Sequence, residues 1–261
     1  MINSIEVKNL TYKKIFENFD ISIEKNKFIT ISGPNNCGKT TLIKILSGII
    51  NANAEIYLNG IMKSEYKTDE YIRKIRLIIP EEEIFQERNL EETLELYSFT
   101  KDHNRKEIIL DIITSLKLKK LLKKDYRTYS PKEKVISQLV IALVKNPEVL
   151  LIDNLDKYFT NQELINIFTH LSKYRQEYGL TLVCTTTDLN LSLYTDYLYI
   201  INDKKISLEG VPLKVLEKDN IINKIGLSLP FMVDLSVKLR DYDLLSEIEL
   251  DKERMVDKLW N

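Results

Sequence analysis

GPNNCGKT, Gly33 to Thr40, decides the fold of this 261-residue chain. It matches G-x-x-x-x-G-K-[ST] at every fixed position, follows a strand-like run, FITIS (28–32), and opens a helix-like one, TTLIKILSGII (40–50). That strand–loop–helix context gives the pattern its meaning. The glycines let the loop curl so that backbone N–H groups converge on phosphate oxygens. The helix that follows adds the positive end of its dipole. Lys39 is placed to reach the β- and γ-phosphates of a nucleoside triphosphate, and the Thr40 hydroxyl to hold Mg²⁺. Gly33, Asn35, Asn36, Cys37, Gly38, Lys39, Thr40 and Thr41 are therefore the expected phosphate cradle. Cys37 reads as a small residue that fits the loop.

Outward from this loop the pattern alternates strand and helix, which argues for a parallel α/β sheet. EVLLID (148–153) is a continuous apolar run ending in Asp, as in a buried parallel strand. Asp153, at its end, is the carboxylate expected beside Mg²⁺. TLVCTT (181–186) is a second buried strand, and TNQELINIFTHLSKYRQEYG (160–179) is a helix capped by Thr160 or Asn161 and closed by Gly179. Leu42, Ile45, Leu46 and Ile49 share one helical face. YLYIIND and KKISLEG (197–210) read as a strand pair turning at Asn202-Asp203. N-terminal strands are expected at 5–13 and 19–33. The charged, amphipathic stretch 88–146 reads as a helical insertion between sheet strands. After Pro230, Met232, Leu235 and Leu239 fall on one helical face, with Val233 and Val237 beside it.

Composition narrows the function. With 38 Lys+Arg against 39 Asp+Glu, the chain lacks the basic field of a non-specific nucleic-acid binder, so no nucleic-acid partner is expected. No apolar run approaches the roughly 20 residues that cross a bilayer; the longest candidates, such as LVIALV (139–144), are far shorter. The opening, MINSIEVKNL, lacks the character of a secretory signal. Two distant cysteines, Cys37 and Cys184, make no disulfide or metal framework and fit a reducing compartment.

Beyond the phosphate loop, YSPKEKVISQLVIALVKNPEVLLID (129–153) aligns without gaps onto a stretch of the ABC ATPases that starts LSGGQ and ends at the Walker B aspartate. Ala142, Leu143, Pro147, Leu150, Leu151 and Asp153 keep the family's ALxxxPxxLLxD pattern. The chain thus resembles the ATP-binding subunit of an ABC transporter. IGLSLPFMVDLSVKL (225–239) and ELDKERMVDKLW (249–260) further resemble the tail of energy-coupling factor (ECF) ATPases. The resemblance implies a P-loop NTPase ABC-type core with N-terminal antiparallel strands, an inserted helical subdomain (about 88–146) and a small C-terminal helical appendage. The ATPase domain would span 1–225 and a dimerisation appendage 226–261. It implies ATP and Mg²⁺ as cofactors, with Tyr12 as the adenine-stacking aromatic. It implies a peripheral place at the cytoplasmic face of the membrane. Its partners would be a second ABC ATPase subunit, favoured as a different chain over a copy, a transmembrane scaffold subunit and a substrate-capture subunit.

The departures from the family fall on positions that serve hydrolysis. Asn154 stands at the catalytic glutamate, so the general-base contribution, typically 10²–10⁴-fold, is absent there. Thr187 stands at the switch histidine; it keeps a hydroxyl but has no titratable ring. In YSPKE, Ser130 survives, Pro131 removes a backbone N–H, Lys132 adds a Cβ, and Glu133 brings a carboxylate expected to repel phosphate. LDKYFT (155–160) has no recognisable D-loop. The Q-loop falls in IIPEEEIFQ (78–86), with Glu81 as candidate and Gln86 behind it. The expectation is an ATP-binding subunit that hydrolyses poorly. The alternatives are an active ATPase whose water-positioning group has moved to Asp156 or Asp188, and an ATPase of an exporter or immunity branch.

Overall fold

The computed structural model describes residues 2–80, 89–96, 103–115 and 118–260. Among the described residues, ten strands form two sheets. β1 (Asn3–Tyr12), β2 (Phe16–Glu24), β4 (Asn53–Leu58) and β5 (Ile61–Met62) make an antiparallel sheet in the order β2-β1-β4-β5. β3 (Phe28–Ser32), β6 (Ile75–Ile78), β7 (Val149–Asp153), β8 (Thr181–Thr186), β9 (Tyr197–Asn202) and β10 (Lys205–Gly210) make the second, in the order β10-β9-β3-β8-β7-β6. In it β9, β3, β8, β7 and β6 are parallel, and β10 returns antiparallel to β9. Every residue of β3, β7 and β8 is buried, as continuous apolar strands covered on both faces should be.

The helices are α1 (Lys39–Leu46), α2 (Thr68–Lys74), α3 (Leu90–Leu96), α4 (His103–Ser115), α5 (Pro131–Val144), α6 (Asn161–Tyr178), α7 (Pro212–Leu216), α8 (Asp219–Lys224), α9 (Phe231–Asp241) and α10 (Lys252–Trp260). One face of the parallel sheet packs against α1 and the antiparallel sheet through Ile29, Ile31, Leu42, Ile45, Leu151 and Val183. The other packs against α5 and α6 through Phe28, Leu139, Leu150, Ile152, Phe168 and Leu182. The expected helical insertion is present, among the described residues, as α3, α4 and α5.

Thr160 caps α6 by accepting from the Glu163 N–H, Glu163 reaches back to the Thr160 N–H, and Gly179 closes the helix at φ 69°. Two expectations are corrected, and the buried face of α9 is decided. α1 stops at Leu46, so Ile49 lies past its end and is exposed. The β9–β10 turn sits on Asp203-Lys204, one residue later than expected; both have positive φ, 47° and 65°, the twist that suits a two-residue hairpin. α9 buries Val233, Ser236 and Val237, while Met232, Leu235 and Leu239 are only half-buried. Val233 and Val237 share an apolar cluster with Leu198 and Ile200 of β9, which sets the buried face. The division expected at 225/226 runs through that cluster.

Candidate nucleotide site

Parallel register brings the strand ends together: Ser32 of β3 lies opposite Thr186 of β8, and Thr185 opposite Asp153 of β7. The loops leaving these ends form the site, at the carboxyl edge where α/β sheets bind ligands. Glycine is required in the first loop. A Cβ on Gly33 would lie 2.2 Å from the Ile201 carbonyl oxygen and 2.7 Å from Cys37 Sγ. At Gly38, with φ 105°, it would lie 2.6 Å from Ile15 Cγ2 and 2.7 Å from the Phe16 ring.

Lys39 is buried, and its Nζ donates to the carbonyl oxygens of Gly33 at 2.6 Å and Pro34 at 2.9 Å. It thus ties the end of the loop back to its start. Burial lowers the affinity of Lys39 for its proton, opposed by the negative fields of Cys37, Asp153 and Asp156. The Thr40 hydroxyl donates to Asp153 Oδ2 at 2.7 Å, which leaves its own lone pairs for a cation. Asp153 Oδ1 accepts from the Thr185 hydroxyl and, at 2.9 Å, from Asn154 Nδ2.

A cavity of about 380 Å³ opens over this arrangement, lined by Asn35, Asn36, Gly38, Lys39, Thr40, Thr41, Asn154 and Thr187, with Ile15 and Lys157 at its sides. Most of the expected residues meet there. Gly33 and Cys37 lie behind the wall, Gly33 through its carbonyl and Cys37 with its Sγ 3.8 Å from Lys39 Nζ. Tyr12 ends β1, half-buried under Lys13, whose Nζ is 5.1 Å from the ring centroid, and does not line the cavity. Sequence reasoning missed Ile15 and Lys157; nothing in their spacing marks them, because they reach the cavity only through the β1–β2 turn and the turn after β7. Glu81 and Gln86 lie outside the described residues.

Asn154 occupies the left-handed region, φ 45° and ψ 53°, which a short amide tolerates. Its N–H donates to the Thr185 carbonyl at 3.0 Å. The cavity wall at this position is an amide that donates to Asp153, not a proton acceptor. Ser130 does not line the cavity. It caps α5, accepting from the Glu133 N–H at 3.3 Å, while Glu133 Oε2 accepts from the Ser130 N–H at 2.7 Å. Pro131 at the first helical position lacks an N–H that would be unsatisfied anyway. The Glu133 charge is paired with Lys124 at 3.0 Å, and Lys132 pairs with Glu163. Within this chain the Glu133 carboxylate is thus engaged in the capping box and the pair with Lys124.

These cradle residues fit Mg-ATP: only glycine fits at 33 and 38, a lysine lies under the loop, and a hydroxyl is held by an aspartate. Comparison with known proteins agrees. The ABC transporter family profile matches residues 16–156. The energy-coupling factor transporter ATP-binding protein EcfA of Pediococcus pentosaceus is 27% identical over 263 residues, covering 96% of this chain and 94% of that protein. The spermidine/putrescine import ATP-binding protein PotA of Borreliella afzelii is 30% identical over 219 residues, covering 80% of this chain and 62% of that protein. The structure of cbiO1 from Clostridium perfringens, part of the ABC transporter complex cbiONQ, superposes with a TM-score of 0.71 at 19% identity, covering 90% of this chain and 99% of that one. Among the described residues no helix is long and apolar enough to cross a membrane. With the phosphate loop, the Asp153 strand and the family match in agreement, the chain belongs to the ATP-binding subunits of the ABC transporter family.

Proposed function

We propose that this chain is the ATP-binding subunit of an ECF-type importer, that it binds Mg-ATP in the Lys39 cavity, and that its own site hydrolyses ATP poorly. The observation that carries the reading is the contrast around Asp153. On one side Thr40 and Lys39 are held as a triphosphate site needs. On the other, Asn154 presents an amide tied to the same carboxylate. Bound Mg²⁺ would supply charge neutralisation at the β- and γ-phosphates. Lys39 would offset further charge, and the loop N–H groups would orient the phosphates. Asn154 has no basic atom to take a proton from water, and Thr187 offers a hydroxyl only.

The ECF assignment draws support from similarity to EcfA over 96% of the chain; PotA matches a smaller share, 80%. The subunit would work at the cytoplasmic face of the membrane, paired with a second, more typical ATPase subunit, and with scaffold and substrate-capture subunits that take up a vitamin or metal ion. ATP binding would stabilise the closed pair by linkage, so closure requires no turnover at this site.

The test is single-turnover hydrolysis by the purified chain with Mg²⁺. Bound labelled ATP is expected back largely intact over minutes, and Asn154→Glu alone is expected not to restore fast turnover, because a carboxylate there faces Asp153 while Thr187 and YSPKE remain. ADP released within seconds by the unaltered chain would favour the active-ATPase reading instead.

A further inference from the structure

The turn after β7 brings a cation to the nucleotide cavity. It is the short 3-10 turn Leu155–Lys157, capped by Asn154, and both Asn154 and Lys157 line the cavity. The Lys157 N–H donates to the Asn154 carbonyl at 3.4 Å. That three-residue closure brings the two side chains to one face of the turn. Leu155, between them, is buried in the same core cluster as Phe159 and Leu164, which anchors the turn from below. Lys157 itself is exposed, on an anchored backbone.

The place of the turn assigns the end of the ligand that it faces. Thr40 and Asp153, the residues that fit Mg²⁺, mark where β- and γ-phosphates meet, because a bound cation bridges the two. Asn154 Nδ2 donates to that same Asp153, so the turn flanks the terminal-phosphate end. Ile15, at the other side of the cavity, is apolar and lies against Gly38.

Charge points the same way. The residues that line the cavity include two cations, Lys39 and Lys157, and no carboxylate. Lys39 gives two of its three donors to the Gly33 and Pro34 carbonyls. Asp156, beside Lys157 in the turn, does not line the cavity. Burial holds its carboxyl above the usual carboxylate range, and the Lys157 charge works against that shift. The turn thus offers the cavity an amide and an ammonium.

We propose that Lys157 is a second phosphate-binding cation, which contacts the terminal phosphate of a bound nucleoside triphosphate and makes the site prefer a triphosphate to a diphosphate. This rests on the reading of the cavity as a Mg-ATP site. No spacing in the sequence marks the residue, because it is the fold of the turn after β7 that turns it to the cavity.

Binding of ADP and of the β,γ-imido analogue of ATP to the full chain with Mg²⁺, by titration calorimetry, tests the proposal without turnover. The unaltered chain should prefer the triphosphate. Lys157→Met keeps the length of the side chain and removes its charge. It should weaken triphosphate binding about tenfold, the scale of one charge-assisted hydrogen bond in an exposed place, with ADP affinity unchanged. Lys157→Arg keeps the charge and should retain most of the preference. Unchanged triphosphate affinity in Lys157→Met, equal losses for both nucleotides, or a loss in Lys157→Arg as large as in Lys157→Met would each overturn the proposal. An unaltered chain that binds both nucleotides equally overturns it too and leaves the nucleotide site standing. Binding of neither overturns both.

Discussion

The loop after β3 and the turn after β7 meet at one carboxylate, Asp153, yet they are built differently. The first is held by backbone: Lys39 reaches back to the Gly33 and Pro34 carbonyls, and two glycines sit where any side chain would collide with Ile201 or with Ile15 and Phe16. The second is held by side chains: Asn154 Nδ2 and the Thr185 hydroxyl both donate to Asp153. A backbone-built loop tolerates few substitutions and keeps a legible pattern. A side-chain-built turn can change its members as long as the bonds close. The difference teaches that the loop carrying Lys39 and the turn carrying Asn154 are held by largely separate contacts, so the members of one can change without those of the other.

Three substitutions break or sharpen that contrast. The largest effect is expected from Lys39→Ala. It removes a buried ammonium together with its bonds to the Gly33 and Pro34 carbonyl oxygens. ATP affinity should fall on the order of a hundredfold, the scale of charge-assisted hydrogen bonds to phosphate, as read by equilibrium binding. Unchanged affinity would end the assignment of this loop.

Ser130→Ala comes next. It removes the cap of α5 and, because the capping box is local, should cost about 1 kcal/mol in denaturant unfolding. The chain's own ATP affinity should stay the same, since Ser130 does not line the cavity.

Asp156→Asn has the smallest and most selective effect. The folded-state pKa of Asp156 lies above its unfolded value. The carboxyl is therefore tolerated best below the unfolded pKa, and stability is lost as pH rises through the folded one. The asparagine variant should gain melting temperature relative to the unaltered chain at pH 7 and lose that gain near pH 4. A gain independent of pH would mean that the shift has been misread.

Much of the fold was legible because its signals are local. Thr160, Glu163 and Gly179 bracket α6 within one segment, and FITIS, VLLID and TLVCTT could only be buried strands. The buried face of α9 is not legible in the sequence: Met232, Leu235 and Leu239 and the adjacent Val233 and Val237 both have helical spacing, and only the approach of β9 selects between the two apolar stripes. At the site, Gly33 to Thr41 and Asp153 were readable, since glycine, lysine and hydroxyl positions are dictated by phosphate chemistry. Ile15 and Lys157 were not, because no local pattern says which turns will face the loop.

The sequence by itself determined the phosphate-loop pattern, the aspartate-ended strand, and Asn154 and Thr187 at the ends of two buried strands, all of which are residue identities at fixed spacing. Only the tertiary structure decided what these side chains do. Parallel register sets Thr185 against Asp153, and both the Thr185 hydroxyl and Asn154 Nδ2 donate to that carboxylate; the capping geometry of α5 turns Glu133 to Lys124 and the Ser130 N–H. Hydrogen bonds between residues some 30 positions apart depend on where strands end relative to one another, and that is a property of the assembled sheet.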